Sequence, residues 1–294
     1  MRHGKYIILL VKDWWKMYQN GDFHLHSNKS DGKLPPKGLV RLASRKHLDI
    51  MAITDHDTTN GCDEAIEEGN TLGIKVISGI ELSTLHKGES IHILGYFTDD
   101  RYKSTDFQLF LKDMTDYRLW RAKKIVENLD TYFNIKISAE KMLEESNGGV
   151  IARPHIARTI ISAGYPYDYD YIFDNFIHKN SPAFVPNKKV STPDGIKILK
   201  DVGAVVVLAH PVLIKKSNID ELLSFDFDGV EAFYSMNEEN DTKKFIAKAQ
   251  EFNKFYTAGS DFHGIDEDDT RHKGMAYVSL RGEALQEFTK RLGI

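Results

Sequence analysis

Two histidines one residue apart, in Asp22-Phe23-His24-Leu25-His26-Ser27, are followed five residues later by the carboxylate of Asp31. Side chains alternate faces along an extended strand, so His24 and His26 share one side. Two imidazoles and a nearby carboxylate make half of a metal coordination set. Four more short segments of this kind follow: Thr54-Asp55-His56-Asp57, Gly79-Ile80-Glu81, Ala209-His210-Pro211 and Gly259-Ser260-Asp261-Phe262-His263-Gly264, while His92 opens a further apolar run. A single histidine at a strand end is more often a hydrogen-bonded rim residue than a ligand. Nine such residues recur here at successive strand ends: His24, His26, Asp31, His56, Glu81, His92, His210, Asp261 and His263. Nitrogen and oxygen donors without sulfur suit zinc, manganese or iron in a multinuclear site. Asp55 is expected to orient a ligand histidine from behind. His3, His47, His86, His178 and His272 lack this context and are expected at the surface.

The elements that hold these residues read as α/β. Apolar, β-branched runs at 22–26, 50–54, 75–80, 91–97, 204–209, 229–234 and 256–260 predict strands. Helical patterns at 37–46, 62–72, 192–202 and 240–252 lie between them, which predicts parallel strands. Each cluster except His92 closes its strand, and closed α/β barrels build their sites from the C-terminal ends of several strands. Residues 98–189 break the rhythm with a long charged helical pattern at 106–133, a short one at 140–146 and a Tyr/Asp/Asn-rich stretch. The expected organisation is a leader at 1–20, a barrel from 21–97 and 190–294, and a mostly helical inserted substrate domain at 98–189.

Composition narrows the partners. The chain has 294 residues, 41% hydrophobic and 28% charged, with a net charge of −4. That gives no general attraction to long duplex nucleic acid or to an anionic membrane. Cys62 is the one cysteine, which excludes a disulfide framework and a thiolate metal site. The apolar run at 6–11 is too short to span a bilayer, and no small-residue cleavage pattern follows it. A reducing cytoplasm is the expected location, with Trp14, Trp15 and Tyr18 packing the leader on the domain.

The histidine segments resemble the polymerase and histidinol phosphatase (PHP) superfamily. Asp22–Ser27 with Ser30-Asp31-Gly32 is similar to its first motif, Ile53–Asp57 to its second and Gly79-Ile80-Glu81 to its third; Ala209-His210-Pro211 and Gly259–Gly264 resemble the last two. The resemblance implies a distorted (β/α)7 barrel with three divalent metal ions. It places the first on His24, His26, Glu81 and Asp261, and the second on Asp31, His56 and His263. A third is placed on Glu81, His92 and His210. Arg153-Pro154-His155-Ile156-Ala157 and the run 180–186 resemble the inserted domain of the TrpH-like, RNase AM-like subgroup. That subgroup implies hydrolysis of the 3′-phosphate of nucleoside 3′,5′-bisphosphates, or 5′-to-3′ trimming of short 5′-phosphorylated RNA. The leader departs from the pattern, since the first motif usually sits near the N-terminus.

The expected chemistry is attack on phosphorus by a metal-bridging hydroxide, with metals neutralising the phosphoryl oxygens. Arg153 and His155 are expected to contact the substrate phosphate. Asp57 is expected to bind a substrate hydroxyl or protonate the leaving group, and Asp261 and His263 to serve the chemical step. Lys188 and Lys189 are weighed as contacts to a second phosphate against solvated charges. Three other readings compete: a phosphatase for another small phosphomonoester such as histidinol phosphate, a metal-dependent amidohydrolase, and a non-catalytic metal-stabilised module. Amidohydrolases commonly use a carboxylated lysine, and no lysine ends a strand here. Inactive versions of the module tend to lose ligands, whereas all nine candidates are present.

Overall fold

Glycine, proline and capping side chains punctuate the chain and set its elements. The computed structural model describes residues 18–146, 149–264 and 273–294. The strands are β1 Gly21–Asp22, β2 Ile50–Ile53, β3 Lys75–His86, β4 Glu89–Phe97, β5 Ala204–Leu208, β6 Gly229–Tyr234 and β7 Phe255–Gly259. They form one seven-stranded sheet in sequence order. Phe23 N–H donates to Ala258 O at 3.0 Å and His26 N–H to Phe262 O at 2.9 Å, bringing the first and last strands together into a nearly closed barrel. The expected first strand is mostly irregular: its ladder stops at Asp22, and His24–His26 continue along the barrel through a lone bridge from Leu25 to Phe262.

The expectation of parallel strands holds for β1–β2, β2–β3, β5–β6 and β6–β7 but fails around β4. That strand runs antiparallel to both β3 and β5. Lys87 and Gly88, at φ of 49° and 77°, make the two-residue turn that folds β3 back on β4. The reversal explains why His92 lies near the start of its strand. Antiparallel pairing sets it opposite Ser83, two residues beyond Glu81 on β3.

Helices α1 Pro36–Arg45 and α2 Cys62–Leu72 follow β1 and β2; α7 Thr192–Asp201 precedes β5. The others of the barrel are α8 Ile219–Leu223, α9 Glu239–Glu251 and α10 Gly282–Arg291. Each buries one apolar stripe, as α1 does with Leu39, Val40 and Ala43. Phe288 of α10 packs edge-on against Phe23 at 4.7 Å and Tyr96 at 5.0 Å.

Between β4 and α7 lie α3 Thr105–Phe133, α4 Ala139–Glu145, α5 Arg153–Ser162 and α6 Tyr169–Asn175. The first half of α3 joins the barrel core through Phe107, Leu111 and Met114. Its second half joins a separate apolar cluster through Ile125 and Leu129, packed with Ile156, Ile160 and Ile172. Arg118 and Arg121 fall at the junction. The Tyr-rich stretch packs on itself, with the rings of Tyr167 and Tyr171 stacked at 5.1 Å. Most of the leader lies outside the described residues, including Trp14 and Trp15. Tyr18 packs on the barrel, and the N–H groups of Gln19 and Asn20 donate to Asp49 Oδ2. Among the described residues no helix is long and apolar enough to cross a membrane.

Candidate metal centre

Glu81, buried on β3, gathers five imidazoles. Its Oε2 lies 3.4 Å from His24 Nε2, 3.2 Å from His26 Nε2 and 3.0 Å from His56 Nδ1. Its Oε1 lies 2.7 Å from His92 Nδ1 and 2.9 Å from His210 Nε2. Asp261 Oδ1 approaches His24 Nε2 at 3.3 Å and His26 Nε2 at 3.1 Å. Asp31 completes the other side, 3.3 Å from His263 Nε2 and 3.8 Å from both His26 and His56. The structure thus brings all nine candidates into one cluster.

Among the described residues, three overlapping groups have donor atoms close enough to share an ion: His24, His26, Glu81 and Asp261; His26, Asp31, His56 and His263; and His56, Glu81 and His92. The first coincides with the set expected from resemblance. The second adds His26, and the third takes His56 where His210 was expected. His56 offers Nδ1 to Glu81 and Nε2 to Asp31, so it belongs to both.

Protonation states are set by what each far nitrogen meets. His263 Nδ1 faces the backbone carbonyl of Asp261 at 2.8 Å, so it must carry the proton and leave Nε2 for the cluster. His24 Nδ1 faces the Glu231 carboxylate at 3.0 Å, which likewise directs Nε2 inward. Burial opposes charge on His26, but the Asp261 and Glu81 carboxylates facing its Nε2 outweigh it and push its pKa up to about 10. His24 is raised well above its usual value against the same burial cost, chiefly by Glu231 and Asp261. Burial also works against the ionised Glu81, yet the surrounding imidazoles hold it well below the usual carboxylate range. His92 and His263 are lowered, mainly by burial.

The donors fit divalent metal ions. His24 Nε2, His26 Nε2, His56 Nδ1, Glu81 Oε2 and Asp31 Oδ1 are buried polar atoms without a hydrogen-bond partner, all turned towards one another. Such groups are costly unless an ion or proton sits between them. Metal binding would displace the protons that otherwise occupy the cluster.

Supporting contacts explain the local chain path. Asp55 accepts from Ser27 N–H, Ser27 Oγ and Ser30 Oγ at 2.6–2.7 Å, fixing the loop to Asp31. It reaches His26 only through Ser30, one step further away than expected. Glu231 on β6 also accepts His210 N–H at 2.8 Å, and Tyr234 O–H donates to Asp261 Oδ2 at 2.8 Å. Asp57, His210 and Asp261 all hold left-handed backbone, at φ of 53°, 25° and 54°. Strain of this kind clusters where surrounding structure must aim a side chain.

The cluster floors a cleft of about 560 Å³ whose facing wall comes from the segment after β4: Arg118, Arg121, Arg153, Tyr169 and Phe173. Arg153 reaches Ile177 O at 3.5 Å and lies over the Phe173 ring, so this expected substrate residue does border the cleft. His155 does not. Its Nδ1 accepts Ala152 N–H at 3.0 Å, and burial first, then Arg158, push its pKa down to about 4, so it is a neutral residue closing the start of α5. Asp57 is buried away from the cleft with both oxygens engaged, Oδ1 by Ser83 N–H and Oδ2 by Arg118. Lys188 pairs with Asp113, and Lys189 is exposed. His47 is exposed as expected, but His86 is half-buried beside Glu221 and Phe225, and His178 accepts Asn180 N–H. His3 and His272 lie outside the described residues.

Sequence reasoning missed Glu231, Tyr234, Arg118 and Arg121. An acid inside the apolar strand Gly229-Val230-Glu231-Ala232 was a usable signal, because such a residue is seldom buried without a task. Arg118 and Arg121 share a helix face, but charged neighbours along α3 hide them among solvated residues.

An antiparallel-interrupted barrel with imidazoles and carboxylates converging at its strand ends defines a metal-dependent hydrolase of the α/β barrel class. The PHP domain family model matches residues 22–179, over half of the chain, and the chain belongs to that family. The match runs through most of the segment between β4 and α7. The 5′-3′ exoribonuclease Rnm of Salmonella typhimurium is 29% identical over 250 residues, 82% of this chain and 84% of that protein. A 3′,5′-nucleoside bisphosphate phosphatase of Chromobacterium violaceum is 28% identical over 254 residues, 84% and 88% of the two chains. A solved Bifidobacterium adolescentis structure, described as a metal-dependent phosphoesterase, superposes with a TM-score of 0.81 at 28% identity, covering 93% of this chain and 96% of that one.

Proposed function

We propose that this chain is a metal-dependent phosphoesterase acting on nucleotides that carry a second phosphate. The substrate is a nucleoside 3′,5′-bisphosphate or the 5′ end of a short RNA. One observation carries the reading: the metal-type cluster and three arginines face each other across a single cleft. Arg121 is buried, its Nε donates to Val185 O, and burial together with Arg153 and Arg118 lowers its pKa to about 9. Positive charges crowded in a part-buried cleft call for a polyanion. A simple monoester fills only the cluster side of the cleft; a second phosphate reaches Arg121 and Arg153 on the other wall. Tyr169 and Phe173 add an aromatic wall on which a base can stack. The names of the two curated relatives point to the same pair of substrates.

Three divalent ions, manganese, zinc or iron, are proposed to be held by His24, His26, Asp31, His56, Glu81, His92, His210, Asp261 and His263. When bound, such ions supply an activated water at neutral pH and positive charge for the phosphoryl oxygens. The chain's own residues do the positioning. Glu231 keeps His24 Nε2 turned inward, the Asp261 carbonyl does the same for His263, and Tyr234 holds one Asp261 oxygen so that the other faces the imidazoles.

Phosphate release from adenosine 3′,5′-bisphosphate by Mn²⁺-loaded protein, with His24→Ala as control, tests the activity. Arg153→Ala should raise KM for the bisphosphate by about 10- to 100-fold, as expected for a lost charge-assisted contact, with far less effect on an aryl phosphate. Equal effects on both esters would remove Arg153 from substrate recognition.

A further inference from the structure

We propose that Arg118 is a catalytic residue supplied by α3, and that Asp57 is its positioning residue rather than a proton donor; this rests on the phosphoesterase reading. Asp57 is wholly buried and fixed through its N–H and both carboxylate oxygens. Its N–H donates to Glu81 O at 3.1 Å, its Oδ1 accepts Ser83 N–H at 2.7 Å, and its Oδ2 accepts Arg118 Nε–H at 2.6 Å. Left-handed backbone at φ 53° turns the carboxylate away from its neighbour His56 and towards α3. Arg118 Nη2 donates to Ser83 Oγ at 2.7 Å, so Asp57 and Ser83 clamp one edge of the guanidinium.

A guanidinium carries five N–H donors in a rigid plane. Two are used by this clamp, and the others have no partner among the described residues. Arg118 nonetheless lines the cleft that Asp31, His56 and His263 floor. A donor edge held rigid across the cleft from the cluster is suited to the oxygens of a phosphoryl group held between them, where charge builds in the transition state. Asp57 ties this arginine to the backbone of Glu81 and Ser83 on β3, so the segment after β4 and the cluster are aligned by one ion pair. Both carboxylate oxygens of Asp57 are engaged inside the protein rather than turned to a leaving group.

Leaving-group dependence separates the two roles of Asp57. The full-length Mn²⁺-loaded protein is assayed with adenosine 3′,5′-bisphosphate, which has a poor nucleoside leaving group, and with p-nitrophenyl phosphate, which needs no protonation. Arg118→Ala should lower kcat about 100-fold on both, the usual cost of one transition-state donor. Asp57→Asn should lower kcat by about 10- to 100-fold on both, the cost of a misplaced group. The double variant should be no worse than Arg118→Ala within about threefold, because residues acting through one contact are not additive. Free guanidinium should restore part of the Arg118→Ala activity. If Arg118→Ala does not fold, Arg118→Lys keeps the charge and should still lose at least about tenfold, since an ammonium cannot span Asp57, Ser83 and a phosphate at once.

A deficit in Asp57→Asn confined to the nucleoside ester and multiplying with that of Arg118→Ala would make Asp57 the proton donor and overturn the proposal. Wild-type kcat in Arg118→Ala overturns it too. Absence of turnover in the wild type on both esters overturns the phosphoesterase reading itself, a different result from either.

Discussion

Glu231→Gln is close to isosteric, yet it should cripple the metal centre. Glu231 is fully buried; one oxygen faces His24 Nδ1 at 3.0 Å and the other accepts His210 N–H at 2.8 Å. Glutamine cannot serve both. With its oxygen on His210 N–H, its amide donates to His24 Nδ1, which moves the imidazole proton to Nε2, the nitrogen facing Glu81 and Asp261. Flipped, it keeps the His24 tautomer but sets an amide donor against the His210 donor. Charge-assisted hydrogen bonds contribute about 1.5–3 kcal/mol and neutral ones about 1, so weakening two of them costs on the order of 2–3 kcal/mol. At about 1.4 kcal/mol per decade, metal affinity should fall by roughly 30- to 150-fold, near the usual effect of removing a carboxylate behind a ligand histidine. Calorimetric titration of chelator-stripped protein with Mn²⁺, alongside metal content and kcat of the purified variant, reads this directly. Affinity within about twofold of wild type, while His24→Ala loses binding, would refute the tautomer reasoning.

Two further expectations follow from packing and protonation. A Cβ at Gly259 would lie 2.2 Å from both Glu231 Oε1 and His24 Cβ, so Gly259→Ala should destabilise the fold by about 1–3 kcal/mol and release metal; a variant with wild-type Tm and metal content would contradict this. His155 has a folded pKa of about 4 against an ordinary 6.5, so the unfolded chain binds the extra proton first. Its contribution is full above pH 6.5 and lost as pH falls towards 4, a change on the order of 3 kcal/mol. Urea unfolding of metal-free wild type and His155→Gln between pH 7 and 4 should show their difference shrinking on that scale; a constant difference would show that His155 is not held neutral.

Much of the site was legible in the chain because its parts are local. Metal-type donors stand in short segments that end apolar runs, and the α/β pattern says that such ends converge. The strand and helix positions of the barrel follow the same way, since period-2 and period-3.6 patterns depend only on neighbours. Asp57 and His155 show the limit. Each sits beside a residue of the site, yet the direction of its side chain depends on partners far along the chain: Arg118 for one, and the buried turn at the start of α5 for the other.

By itself, then, the sequence determined which groups can hold metal and that a barrel brings them together. Only the tertiary structure decided how they are shared. The reversal of β4 places His92 over Glu81's strand, Glu231 chooses the nitrogen that His24 presents, and α3 carries Arg118 and Arg121 to the opposite wall of the cleft. Donor identity is a property of single residues, whereas tautomer, shared ligation and charge complementarity belong to pairs that meet only after the chain has folded.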